Sequence, residues 1–281
     1  MIQFYTSDEL QSHLALLIKQ GKALGFVPTM GALHEGHLSL IRRARLENDV
    51  VVCSIFVNPI QFNNASDLEK YPRTLEADLA LLEPAGCDVV FIPSVEDMYP
   101  EPVKESFNFG YLDKIMEGKF RPGHFEGVAV VVRRLFEKVQ PTRAYFGLKD
   151  YQQIAVVKSM MNQINSPVNL VPCEIVREPD GLAMSSRNVR LSAEARDRAP
   201  VIFQLLKSGR TMVANHSPAQ IVEYVVSQFQ LHPDFELEYF EIVDSETLLP
   251  LEAFSPDRSA IACIAVWLNK VRLIDNMLYS D

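Results

Sequence analysis

The sequence of 281 residues contains neither Gly-x-Gly-x-x-Gly nor Gly-x-x-x-x-Gly-Lys-Ser/Thr. The glycine-rich loops that most often cradle a dinucleotide or a triphosphate are therefore missing, and a nucleotide site here must use another device. No run approaches the roughly eighteen consecutive apolar residues of a membrane span, and no basic stretch followed by an apolar signal core opens the chain. Positive charge is short: 27 Lys and Arg stand against 36 Asp and Glu, a formal net charge of -9. That balance excludes broad contact with nucleic acid or anionic lipid, while small anions can still be gripped locally. Cysteine is scarce as well. Cys53, Cys87, Cys173 and Cys263 lie far apart in apolar settings, without metal-ligand spacing, and read as buried thiols in a reducing compartment. The expectation is a cytoplasmic protein that acts on small molecules, with no nucleic-acid or membrane partner.

What is present is apolar patterning, at 48% hydrophobic residues, enough for one large or two moderate domains. The pattern predicts a helix over residues 6–21, with Ser7 as cap and Gly21 as stop, then a strand over 23–27 that Pro28 either stops or sets at a boundary. Residues 50–57 form a continuous apolar run of the kind a doubly covered parallel strand shows. Helix 74–82, strand 89–92, helix 125–139, strand 144–146, helix 151–164 and strand 168–176 continue the alternation. Residues 93–122, rich in turn formers and aromatics, are too long for an ordinary connection and read as an excursion near a ligand edge. Beyond residue 191 the character changes. Helices over 192–206 and 217–229 precede strands over 236–243, 261–267 and 271–276, the last two joined by a hairpin-like turn. The fold class is thus α/β: a doubly wound, Rossmann-like parallel sheet over residues 1–183, followed by a smaller C-terminal α+β domain over 184–281.

The stretch from Phe26 to His37 organises the rest. It reads as strand, tight turn and helix start, the helix beginning near Gly36, with His34 and His37 held beside its N-terminus. Unpaired N–H groups and the helix dipole make phosphate the natural guest there. In an open parallel sheet, ligands bind beyond the carboxyl ends of strands where strand order reverses. With order 3-2-1-4-5, the loop of residues 28–37 and the loop Gly147-Leu148-Lys149-Asp150 flank that point, so Lys149 is predicted to meet the two histidines. Taken singly, each motif has a blander reading. His34-x-x-His37 also fits a zinc fragment or two structural histidines, Met184-Ser185-Ser186-Arg187-Asn188 a solvated linker, Lys149-Asp150 and the glutamines Gln61 and Gln153 surface groups, and Arg42-Arg43 the wet face of a helix.

Taken together, five stretches in order closely resemble the pantoate–β-alanine ligase (pantothenate synthetase) family of adenylate-forming enzymes. They are residues 28–37, 56–62 (Phe-Val-Asn-Pro-Ile-Gln-Phe), 71–74 (Tyr-Pro-Arg-Thr), 146–153 (Phe-Gly-Leu-Lys-Asp-Tyr-Gln-Gln) and 184–188. His34-Glu35-Gly36-His37 is similar to the HxGH signature of the nucleotidyltransferase superfamily, and Met184 to Arg187 to that family's version of the second triphosphate motif. The resemblance implies that ATP and pantoate give pantoyl adenylate and pyrophosphate, after which the β-alanine amine displaces AMP to form pantothenate. It implies catalytic roles for His34, His37, Lys149 and Arg187, with His37 protonating the leaving group where its pKa allows. For ATP it implies contacts from Met30, Gly31, Ala32, Leu33, His34, Glu35, Gly36, His37, Gly147, Leu148, Lys149, Asp150, Val176, Met184, Ser185, Ser186 and Arg187. For pantoate it implies Gln61, Gln153, Met30 and Asn58, with Glu117 and Arg121 as secondary candidates. ATP is expected to arrive with Mg2+ as its companion ion, with no protein metal site and no tightly bound cofactor, and the chain to form a homodimer. Two other classes stay open from sequence: a nucleotidyltransferase that adenylates a phosphate ester and stops there, and a non-catalytic nucleotide-binding regulator.

Overall fold

The computed structural model describes residues 1–280, in two compact units that divide between Glu174 and Ile175. The sequence reading set the boundary at 183/184. The second unit begins earlier because the Arg177 guanidinium holds both Asp275 carboxylate oxygens (2.6 and 2.9 Å), donates to the Asn276 carbonyl and lies 4.4 Å over the Phe203 ring. Leu182 is buried in that unit's core as well.

The first unit is built on six parallel strands: β1 (Ile2–Phe4), β2 (Leu24–Thr29), β3 (Val50–Ile55), β4 (Val89–Phe91), β5 (Arg143–Gly147) and β6 (Asn169–Cys173). They run in the order β1-β4-β3-β2-β5-β6, which is the expected order with one more strand at the edge. β1 is only three residues long and partly exposed, too short to print a periodicity. The central strands send alternate side chains to opposite faces. Phe26, Val52 and Phe91 enter one core with the helices Ser7–Lys19, His124–Val139 and Tyr151–Gln163. Val27, Val51, Cys53, Val90 and Tyr145 enter the other with Glu35–Glu47 and Leu75–Ala85. Both faces are covered, which is why the strands read as unbroken apolar runs; each fully buried Phe or Val contributes roughly 1.5–3 kcal/mol.

Of the two expectations for Pro28, the structure shows the boundary and not the stop: it is the penultimate residue of β2, paired in register with Ser54, and Thr29 follows it opposite Ile55. The Thr29 carbonyl accepts from Phe56 on the β3 side, so the adjacent Pro28 faces the β5 side. Pairing of β2 with β5 has already ceased at Phe26↔Ala144, so no ladder bond is lost for want of the proline N–H.

The excursion carries short helices at Val95–Met98 and Met116–Phe120. In the second unit the helix expected over 192–206 is two, Ala193–Arg198 and Val201–Thr211, because Pro200 between them lacks a donor. Strands β7 (Phe235–Asp244), β8 (Ala260–Leu268) and β9 (Val271–Ser280) form an antiparallel sheet with its own core. Asn269 and Lys270 both have positive φ, 46° and 69°, as a two-residue hairpin turn requires.

Candidate active site

The segment after β2 is held by a carboxylate from elsewhere in the chain. Gly31 (φ 78°) and Ala32 (φ 49°) both adopt left-handed backbone, which for alanine is strained. Asp78, buried on the Leu75–Ala85 helix, accepts the Ala32 and Leu33 amides at 2.9 and 2.8 Å and the Thr74 hydroxyl at 3.2 Å. The Thr29 hydroxyl accepts from the Gly31 amide and donates to the Ser54 carbonyl. Sequence reasoning passed over Asp78. Its signal was an acid in the buried stripe Asp78, Leu82, Ala85.

His34 is the N-cap of the Glu35–Glu47 helix, which starts one residue ahead of Gly36. Its Nδ1 accepts from the Gly36 amide (3.1 Å), while Nδ1 of His37 accepts from the His34 amide (3.3 Å), a reciprocal capping box made of two imidazoles. Both Nδ1 atoms are acceptors, so in the neutral rings the proton is on Nε2, and each Nε2 is a donor with no protein partner among the described residues. The rings lie 4.1 Å apart between centroids. Burial, then the Lys149 charge, lowers the His34 pKa to about 4, against a weaker opposing pull from Asp150. His37 is held well below the ordinary imidazole value by burial, His34 and Lys149. The structure thus brings Lys149 within electrostatic reach of both rings. Lys149 lies in the turn Leu148–Asp150 after β5, the neighbour of β2, and pairs with Asp150 at 3.2 Å. Glu35 points outward and pairs with Arg42.

Beside this turn, Asn58 and Gln61 are buried. Asn58 Nδ2 donates to Gln61 Oε1 (3.0 Å) and to the Gly127 carbonyl (3.1 Å), and Gln61 Nε2 donates to Met30 Sδ (3.1 Å). His124, at the start of the His124–Val139 helix, bonds the Gln61 carbonyl through Nδ1 at 2.9 Å, and burial, ahead of the Arg121 charge, brings its pKa to about 3. A Cβ on Gly127 would stand 2.5 Å from the Ile60 carbonyl, so only glycine lets the helix sit this close. Gln153 is half-buried on Tyr151–Gln163, and Glu117 pairs with Arg121 at 3.4 Å. His124 and Gly127 escaped the sequence reading, although the run Arg121-Pro122-Gly123-His124 at a helix start was visible.

The remaining candidates belong to the second unit. The Val176 carbonyl accepts the Met184 amide at 3.0 Å. Ser185 caps the short helical turn Ser186–Arg190, its hydroxyl accepting from the Arg187 amide, and Asn188 Nδ2 donates to the Ala183 carbonyl. Ser186 is buried, while Met184, Ser185 and Arg187 are half-buried.

A family model described as pantoate-beta-alanine ligase matches residues 3–278. The chain is 50% identical over 277 residues to pantothenate synthetase of Bacteroides fragilis, covering 99% of this chain and 98% of that protein. The crystal structure of pantothenate synthetase from Thermus thermophilus is 46% identical, superposes with a TM-score of 0.93 and covers all of both chains. A pantoate-beta-alanine ligase from Francisella tularensis, described as complexed with beta-gamma ATP and beta-alanine, is 34% identical with a TM-score of 0.82, over 99% of this chain and 98% of that one.

Proposed function

The chain belongs to the pantoate–β-alanine ligase family, a ligase that joins pantoate to β-alanine with consumption of ATP, and from that premise we propose how its residues carry the reaction. In the first half-reaction a pantoate carboxylate oxygen attacks the α-phosphorus in line. A new P–O bond forms, the α–β bridging P–O bond breaks, and pyrophosphate leaves with its Mg2+. In the second half-reaction the unprotonated β-alanine amine attacks the acyl carbon, AMP leaves with the C–O electron pair, and the amine proton passes to solvent. No covalent protein nucleophile is needed; the protein's task is positioning and charge compensation.

Met30 to His37 and Gly147 to Asp150 are the ATP contacts of the first unit in this reading. His34 and His37, neutral at pH 7 by the burial and Lys149 effects described above, donate Nε2–H to phosphate oxygens. Both downward shifts disfavour the imidazolium forms, so this reading gives His37 a hydrogen-bond-donor role ahead of proton transfer to the leaving group. Lys149 compensates the charge that builds on the transferring phosphate. Val176 and Met184 are proposed as adenine contacts, and Ser185, Ser186 and Arg187 as contacts to the pyrophosphate end. Gln61, Gln153, Met30 and Asn58 are proposed for pantoate. Cytoplasmic location and a homodimer complete the proposal, the latter to be checked by sedimentation.

The observation that carries this reading is the pair of reciprocally capped histidines presenting Nε2 at the end of β2 with the Lys149 charge beside them. The test is mass detection of pantothenate and AMP in a mixture of ATP, Mg2+, pantoate and β-alanine, together with pantoate-dependent exchange of labelled pyrophosphate into ATP. Exchange without pantoate, or no AMP release when β-alanine is added, would point instead to a nucleotidyltransferase that stops at the adenylate.

A further inference from the structure

We propose that Tyr99 is a positioning residue for pantoate: acting through Asn58, its hydroxyl fixes which end of the Gln61 carboxamide is offered to the substrate. The polarity can be read from one anchored end. The Gly127 carbonyl can only accept, so the Asn58 atom 3.1 Å from it is the amide nitrogen. The Asn58 oxygen therefore faces the Tyr99 hydroxyl, at 2.7 Å, and the tyrosine must donate. The second Asn58 N–H goes to Gln61 Oε1 at 3.0 Å, which ties up the glutamine oxygen and leaves Nε2 with one N–H on Met30 Sδ and a second to offer. Gln61 is thus a pure donor, suited to the carboxylate or hydroxyl oxygens of a hydroxy acid.

Tyr99 is itself held in place. The Arg134 guanidinium lies 4.8 Å over its ring and is fixed by Glu105 (2.9 and 3.0 Å) and the Met98 carbonyl (2.6 Å). Burial raises the phenol pKa, so the hydroxyl keeps the proton it donates. Asn58 is 1% exposed, and among the described residues Tyr99 is the only donor to its oxygen, so no solvent replaces a lost hydroxyl readily.

The inference rests on the reading that Gln61 contacts pantoate, and the experiment separates the two. Steady-state pyrophosphate exchange on the full-length chain is measured for Tyr99→Phe, Gln61→Ala and the double variant. Tyr99→Phe is expected to raise KM for pantoate roughly tenfold while leaving KM for ATP within about twofold of the parent. In the Gln61→Ala background the same change adds no more than about twofold, since the two act in one chain of contacts. A normal pantoate KM in Tyr99→Phe, an equal rise for ATP, or full additivity overturns the relay. A normal pantoate KM in Gln61→Ala overturns the pantoate assignment of Gln61 and the relay with it. Asn58→Asp supplies a second arm: a carboxylate facing the Gly127 carbonyl and Gln61 Oε1 has no proton to give, so pantoate KM rises at least as far as in Tyr99→Phe, and a normal value there also refutes the relay.

Discussion

The two ends of the six-stranded sheet hold polar networks of different kinds. At the amino end, Arg45 bridges Asp88 (2.6 Å) and the Asn48 carbonyl, and Asn48 Nδ2 donates to the Ala44 carbonyl and the Tyr145 hydroxyl. Tyr145 in turn donates to Glu47 at 2.8 Å, and Arg143 donates to Asn48 Oδ1. Donors and acceptors there are matched against one another, and the product is register between strands. At the carboxyl end, the bonds inside the protein use only one side of each group. The Nδ1 atoms of His34 and His37 and the Gln61 oxygen are occupied by the protein, while Nε2 of each ring has no protein partner among the described residues and Gln61 Nε2, with one N–H on Met30 Sδ, keeps a second to offer. A network that closes on itself holds the fold; one that closes on half of each side chain aims the other half.

On that contrast, changes at the carboxyl end cost turnover and changes at the amino end cost stability. The largest effect is expected for Lys149→Ala: a loss of about 3 kcal/mol of transition-state stabilisation, roughly a hundredfold or more in kcat, with the melting temperature little altered. Near-normal turnover would remove Lys149 from the reaction. His37→Ala should fall nearly as far in kcat, and thermal unfolding of the same sample shows whether the cap or the chemistry was lost.

Acid sharpens the contrast from another side. His34 at about 4 and His124 at about 3 both titrate below an unfolded histidine, so the unfolded chain takes up protons first. Their contribution is complete above about pH 6.5 and is lost as the pH falls toward those values, with the buried His124 costing on the order of 3 kcal/mol by pH 4.5. Urea unfolding at pH 7 and pH 4.5 measures it, and His124→Gln should flatten the difference. At the amino end, Tyr145→Phe is expected to cost about 1–2 kcal/mol of stability and leave kcat unchanged, because Asn48 loses an acceptor and Glu47 a donor far from the chemistry. Smallest is Arg42→Ala, which removes an exposed pair with Glu35 and should change stability by less than about 0.5 kcal/mol by denaturant titration.

The sheet was legible because its cause is local: the run through Val51, Val52 and Cys53 needs apolar cover on both faces, and that shows in any window of eight residues. The meeting of Lys149 with His34 and His37 was legible because strand order places the loops after β2 and β5 side by side. What escaped was non-local or too short. Asp78 reaches amides 45 and 46 residues away, Tyr99 reaches Asn58 across 41, and β1 has three residues. Whether Pro28 stops its strand or only borders the end was left open because the effect depends on which neighbour it faces, and Pro200 was overlooked within a favourable helical pattern.

A strand pair left free to zip would extend its ladder past Phe26 and Ala144 until the two loops were sewn together. The ladder has already stopped where Pro28 next faces β5, and an imino acid offers no N–H with which to resume it, so the sheet stays parted between the histidines on one lip and the lysine on the other. The missing hydrogen thus keeps open a gap that the parting of the two strands has already made.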